Sequence, residues 1–143
     1  MLTAKEICDE MGAKDGGTYF SVGDYYPIIK SFGNILFSED TGGWSGETFV
    51  FYKLKKGYGF LVYGWGSCSY CDALQRCGSV EDVQELMDAL SDSMKRFKSL
   101  KAIKKYVAEK NWEIEWYGTE ILNGKMIEFI KNYKGVSKER EKC

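Results

Sequence analysis

The chain contains no histidine. That single absence removes Ser-His-Asp triads, Cys-His nucleophile pairs, His-x-Glu deaminase sites and every zinc centre that needs an imidazole ligand. There is one proline, and neither a low-complexity tract nor an internal repeat, so nothing marks a linker or a repeat array. No apolar run approaches the ~20 residues of a bilayer span. The start, Met1-Leu2-Thr3-Ala4-Lys5-Glu6, lacks a charged region followed by an apolar stretch, so no secretory signal is expected and a cytoplasmic, reducing setting follows. No phosphate loop, dinucleotide fingerprint or nucleophile elbow is found. A formal net charge of −1 supplies no global field for nucleic acid and is too small for a mimic of DNA.

What is present is ordinary globular material, 44% hydrophobic and 29% charged over 143 residues. A single α+β domain spanning 1–143 is expected, with residues from 136 on a charged, frayed tail. Thr3 and Glu6 form a capping-box pattern for a short helix from Ala4 to Met11, ended by Gly12. Tyr26 to Lys30 reads as an extended segment, with Pro27 placing it at an edge or marking a strand entry, and Asn34 to Phe37 as a second short strand. Glu47–Leu54 and Tyr58–Trp65 are the clearest strands, joined by Lys55-Lys56-Gly57, and the second is apolar on both faces, as a central strand should be. These segments predict an antiparallel meander of three to four strands, followed by a Cys-rich turn and a mainly helical second half. Ser79 caps a helix that helical spacing carries to about residue 97, and Ser99 begins another. Trp112, Ile114 and Trp116 alternate as a strand would, and Thr119 caps a final helix ended by Gly135.

Three of the five cysteines lie in one stretch, Cys68-Ser69-Tyr70-Cys71 with Cys77 six residues on. A Cys-x-x-Cys turn directs two sulfurs to one point, so Cys68, Cys71 and Cys77 are the candidate metal ligands, with structural zinc the expected cofactor. Without histidine the fourth ligand must be Cys8, Cys143, a carboxylate such as Asp72, or an exogenous group. A thiol-redox site is the alternative, and three cysteines that only pack is another. Carboxylates at Asp24, Glu39, Asp40, Glu113 and Glu115 are scattered, and sequence pairs none of them for acid–base work. No catalytic residue is assigned.

Two features speak to partners. Trp44 stands in the glycine-rich loop from Ser38 to Gly46, where a large aromatic either folds back on the core or anchors a partner; Tyr19 and Tyr25 are further candidate anchors. Lys101, Lys104 and Lys105, with Lys95, Arg96, Lys98 and Lys110, make a basic cluster over residues 95–110 that reads as a solvated helix face or as a surface for RNA, DNA or an acidic protein.

The segment Tyr58-Gly59-Phe60-Leu61 and Gly64-Trp65-Gly66-Ser67-Cys68-Ser69-Tyr70-Cys71-Asp72-Ala73-Leu74-Gln75, with Cys77 and the helix start Ser79-Val80-Glu81-Asp82-Val83, resembles small phage and prophage proteins that carry this cysteine motif. The resemblance runs from about Tyr26 to Phe97, and Tyr70 replaces a glycine of the motif. It implies a non-enzymatic inhibitor of host defence of the anti-CRISPR type, acting in the host cytosol on a host protein such as a CRISPR effector. A thiol-redox or metal-dependent enzyme, and nucleic-acid binding through the basic 95–110 region, stand as alternatives.

Overall fold

Thr3 opens the first helix, α1 (Ala4–Met11), through a full capping box: its Oγ1 accepts from Glu6 N at 3.2 Å, and Glu6 Oε1 accepts from Thr3 N at 3.2 Å. Gly12, at φ 76°, closes it in the left-handed region. The computed structural model describes residues 2–16, 20–40, 46–66, 72–109 and 120–135. The loop bearing Trp44, the Tyr19 position, the Cys68 to Cys71 turn, the Trp112–Trp116 segment and the tail with Cys143 lie outside the described residues.

Tyr26 to Lys30 is not a strand. It forms a five-residue helix, α2 (Tyr26–Lys30), with Pro27 in its first turn, where a missing N–H costs nothing and the fixed φ suits the helix. Asp24 Oδ1 accepts from Tyr26 N at 2.9 Å and sets the turn that starts it. The paired β-branched residues Ile28 and Ile29 argue for a strand by propensity, yet both are buried from the helix, and Tyr52 Oη donates to Ile29 O at 2.6 Å to hold it on the sheet.

The sheet has four antiparallel strands in the order β1 (Asn34–Asp40), β2 (Gly46–Lys53), β3 (Tyr58–Trp65) and β4 (Lys95–Phe97). β2 and β3 pair in unbroken register from Gly46 opposite Trp65 to Lys53 opposite Tyr58. Gly57 turns the hairpin at φ 85°, and a Cβ there would overlap Phe97 O, so the turn needs glycine both for backbone and for room. In β1 the register shifts between Ile35 and Phe37, and this bulge puts Leu36 and Phe37 against the same core.

Helices cover both faces. On one, α1, α2 and α3 (Val80–Ser93) pack against Val50, Tyr52, Leu61 and Tyr63; on the other, α4 (Leu100–Glu109) and α5 (Glu120–Asn132) pack against Phe49, Phe51 and Phe60. Phe49, Val50, Phe51 and Tyr52 are all fully buried, two to each face, and burying each side chain is worth roughly 1.5–3 kcal/mol.

The helix expected to reach about residue 97 stops at Ser93. Leu90, Met94 and Phe97 have helical spacing, but the chain turns extended at Met94, with ψ 131°, and Lys95–Phe97 joins the sheet beside β3. Alternation then sends Met94 into one core, over Gly59, and Phe97 into the other. Among the described residues, no helix is long and apolar enough to cross a membrane.

Candidate functional site

Where β3 ends, Asp72 is 5% exposed and organises the turn that follows the cysteine pair. Its Oδ1 accepts from Tyr25 Oη at 2.9 Å, Leu74 N at 2.9 Å and Gln75 N at 3.2 Å, while Oδ2 accepts from Gly66 N at 2.9 Å. Arg76 N donates to Asp72 O and Cys77 N to Leu74 O, closing a helical turn for which the Asp72 side chain acts as cap. Gln75 Nε2 donates back to Gly66 O at 2.8 Å. A cavity of about 250 Å³ opens beside this network, lined by Ser21, Gly23, Tyr25, Asp72, Leu74 and Gln75.

Tyr25, read from sequence as a surface anchor, is a core residue. It is 8% exposed, its ring lies 4.7 Å from that of Tyr63, and its hydroxyl is held between Asp72 and Leu74 N. Burial, first of all, and the neighbouring Asp72 push its phenol well above the usual range. Tyr63 is pushed up to about 12 by burial, with Asp40, Asp24 and Asp72 adding to the rise against a hydrogen bond with Thr48.

Cys77 ends the turn with its thiol directed at Ala73 O, 3.4 Å away, and is 8% exposed. Burial chiefly, then Asp82 and Cys8, raise that thiol to about 11. Cys8, fully buried in the same core, is raised as well, by burial and by Asp15 and Asp9. The structure therefore brings Cys77 together with Cys8, one of the four ligand options named from sequence. Asp72, another option, has both carboxylate oxygens engaged by the turn. Among the described residues no three Cys, Asp or Glu side chains converge into a metal-holding group, and Cys68 and Cys71 fall outside them.

Of the other carboxylates named from sequence, Glu113 and Glu115 lie outside the described residues, and Asp24 and Asp40 both act on Tyr63. Glu39 and Asp40 leave β1 on opposite faces, Glu39 to an ion pair with Lys125 at 3.3 Å and Asp40 to Thr48 Oγ1 at 2.6 Å. Trp65 Nε1 completes that second chain by donating to Thr48 Oγ1 at 2.9 Å. On α4, Lys101 and Lys105 face solvent, and Lys104 Nζ donates to Lys131 O at 3.0 Å. The capping role of Asp72 escaped sequence reasoning, although an aspartate just before a turn, able to accept from the N–H groups two and three residues on, is a recognisable side-chain cap.

No family model, no curated protein and no solved structure matches this chain.

Proposed function

We propose that this chain is a non-enzymatic binding protein that acts by occupying the surface of a host-defence protein, with a CRISPR effector as the leading partner. The observation that supports a non-catalytic reading is the state of the ionisable groups around the β3 end. Asp72 is tied to four donors of its own fold, and the Tyr25 phenol and the Cys77 thiol are both held in their protonated forms. A general base needs a free lone pair at the reacting atom, and a nucleophilic thiol needs to be a thiolate at working pH. The thiol condition is not met at Cys77, which also weighs against it as a redox thiol, and Asp72 spends Oδ1 on three donors and part of Oδ2 on a fourth within its own fold.

The resemblance of the Gly64–Cys77 stretch to phage proteins supplies the partner class, and Trp44 and Tyr19 remain the proposed anchors. Structural zinc on Cys68, Cys71 and Cys77 is part of the proposal; the metal would lower the Cys77 thiol and fix the turn to the sheet.

Expression of the chain in a CRISPR-immune bacterial host challenged with a targeted phage tests the function. Plaquing should be restored, and Trp44→Ala should reduce the restoration without changing the protein's melting temperature. Unaltered immunity at full expression against each effector type would sink the proposal. About one zinc per purified chain, lost in Cys68→Ser and Cys77→Ser, is the expected metal content; a metal-free protein of full stability removes zinc from the reading.

A further inference from the structure

Lysines from four separate stretches gather at one end of the sheet. Lys55 and Lys56 form the β2–β3 turn, Lys98 follows β4, Lys101 lies in the first turn of α4, and Lys131 and Lys134 close α5. Strand register brings the first of these together, since Lys53 is opposite Tyr58 and Tyr58 is opposite Phe97. Gly57 lies against Phe97 O and Lys98 Cα, and Gly135 approaches Tyr58 Oη and Leu100, which brings the end of α5 to the same place. All six lysines are exposed, and the one salt bridge among the described residues, Lys125 to Glu39, lies at the opposite end of β1.

Apart from Glu128, one turn before Lys131 on α5, the carboxylates of the described residues lie elsewhere. Glu39, Asp40 and Glu47 occupy the far end of the strands, and α3, in the opposite helical layer, carries Glu81, Asp82, Glu85, Asp88 and Asp92 with no basic residue. A near-neutral net charge thus conceals, among the described residues, an uneven distribution, mainly basic at one end of the sheet and acidic along α3 and the far strand ends. Fold stability does not account for the basic one. Lys131 suits the C-terminal end of α5, but Lys98 and Lys101 flank the N-terminus of α4, which has no acidic residue in its first turn and where positive charge opposes the helix dipole.

We propose that this lysine face binds the phosphate backbone of duplex nucleic acid without reading its bases. Protein interfaces are depleted in lysine and centre on buried apolar or aromatic groups. The exposed large hydrophobic residues of the described chain, Met11 and Tyr26, belong instead to α1 and α2 in the opposite layer. The rings that lie among the lysines, Tyr58, Phe97 and Tyr133, are half-buried against the second core rather than presented to solvent, which disfavours single strands, since these bind by stacking. Point-charge ammonium groups on flexible stems match a phosphate backbone tracked by charge alone. This inference does not rest on the protein-binding reading above.

Fluorescence anisotropy of the full chain with a fluorescein-labelled 20-base-pair DNA duplex tests it. With about four phosphates neutralised, affinity should fall roughly 100-fold between 50 and 200 mM salt. The pairs Lys55→Glu/Lys56→Glu, Lys98→Glu/Lys101→Glu and Lys131→Glu/Lys134→Glu should each weaken binding about 10-fold or more and lower the salt slope by about two. The control pair Lys5→Glu/Lys14→Glu, with the same change in net charge on the opposite layer, should change it less than about threefold. Melting temperatures within a few degrees of the parent establish that each variant is folded. Equal weakening by the control pair, no effect from the 55/56 and 131/134 pairs, or displacement of the duplex by an equal charge concentration of polyglutamate would overturn the proposal, the last assigning the face to an acidic protein.

Discussion

Tyr25 Oη and Asp72 Oδ1 lie 2.9 Å apart, a buried hydrogen bond that fastens the residue leading into α2 to the turn that leaves β3. Its two ends are 47 residues apart in sequence. Removing the donor with Tyr25→Phe should cost about 1.5–3 kcal/mol, the usual range for a hydrogen bond to a charged group. Asp72→Ala should cost more, above ~3 kcal/mol, because Gly66 N and Gln75 N lose their acceptor, Tyr25 Oη loses its own, and Leu74 N is left with Tyr25 Oη alone. Urea denaturation of both single variants and the double variant measures this, and a Tyr25→Phe protein as stable as the parent would show the bond to be idle.

Gly59 and Met94 are shaped to each other. A Cβ on Gly59 would come within 2.6 Å of Met94 Sδ, so Gly59→Ala alone should force the methionine aside and destabilise by about 1–3 kcal/mol. Met94→Ala alone should cost about 2–4 kcal/mol through the cavity it leaves. The combined variant should be more stable than the sum of the two losses predicts, by about 1 kcal/mol or more, since the new methyl group enters the vacated space. Strict additivity in a double-mutant cycle would contradict that packing.

Gly57 and Gly12 both have positive φ, at 85° and 76°, but differ in surroundings. Nothing lies within 4 Å of a Cβ at Gly12, so Gly12→Ala carries only the left-handed penalty, about 1–2 kcal/mol. At Gly57 the same methyl group meets Phe97 O, and the substitution should cost at least twice as much and loosen the β3–β4 pairing. Amide exchange at Phe97 and Lys95 should rise in Gly57→Ala and remain unchanged in Gly12→Ala.

Alkaline pH should unfold the protein before its phenols titrate freely. In the metal-free protein the Cys77 thiol rises from an ordinary value near 9 to about 11 on folding, so the unfolded chain gives up its proton first. The stabilisation is therefore complete below pH 9 and lost as pH climbs to about 11, and two units correspond to about 3 kcal/mol. Cys8 acts in the same direction, and Tyr63 extends the loss from about pH 10 to 12. Stability measured by urea titration from pH 8 to 11 should fall less steeply in Cys77→Ala than in the parent; parallel slopes would remove the thiol from the explanation.

The helix starts were legible because short-range chemistry alone decides them. Thr3 with Glu6 and Ser79 with Asp82 need no tertiary partner, and both act as caps: Ser79 Oγ accepts from Asp82 N at 3.1 Å. The alternation through Phe60 and Leu61 likewise announced a strand covered on both faces. The errors arose where local pattern and tertiary demand part. Ile28-Ile29 favours a strand until Pro27, Asp24 and the Tyr52 hydroxyl act together. Leu90, Met94 and Phe97 satisfy a helical period, yet only a chain that turns extended can reach two cores lying on opposite sides of one sheet. The lysine face was half visible, because the 95–110 cluster is contiguous in sequence, whereas Lys55, Lys56, Lys131 and Lys134 join it only through strand register and the return of α5.

The alternation of Phe49, Val50, Phe51 and Tyr52 makes β2 a wall common to two rooms. Neither helical layer can melt by itself, because its departure would strip one side of a sheet whose other side is still occupied and leave fully buried aromatic rings in water. The two layers should therefore unfold as a single cooperative unit, with one calorimetric transition whose van't Hoff and calorimetric enthalpies agree.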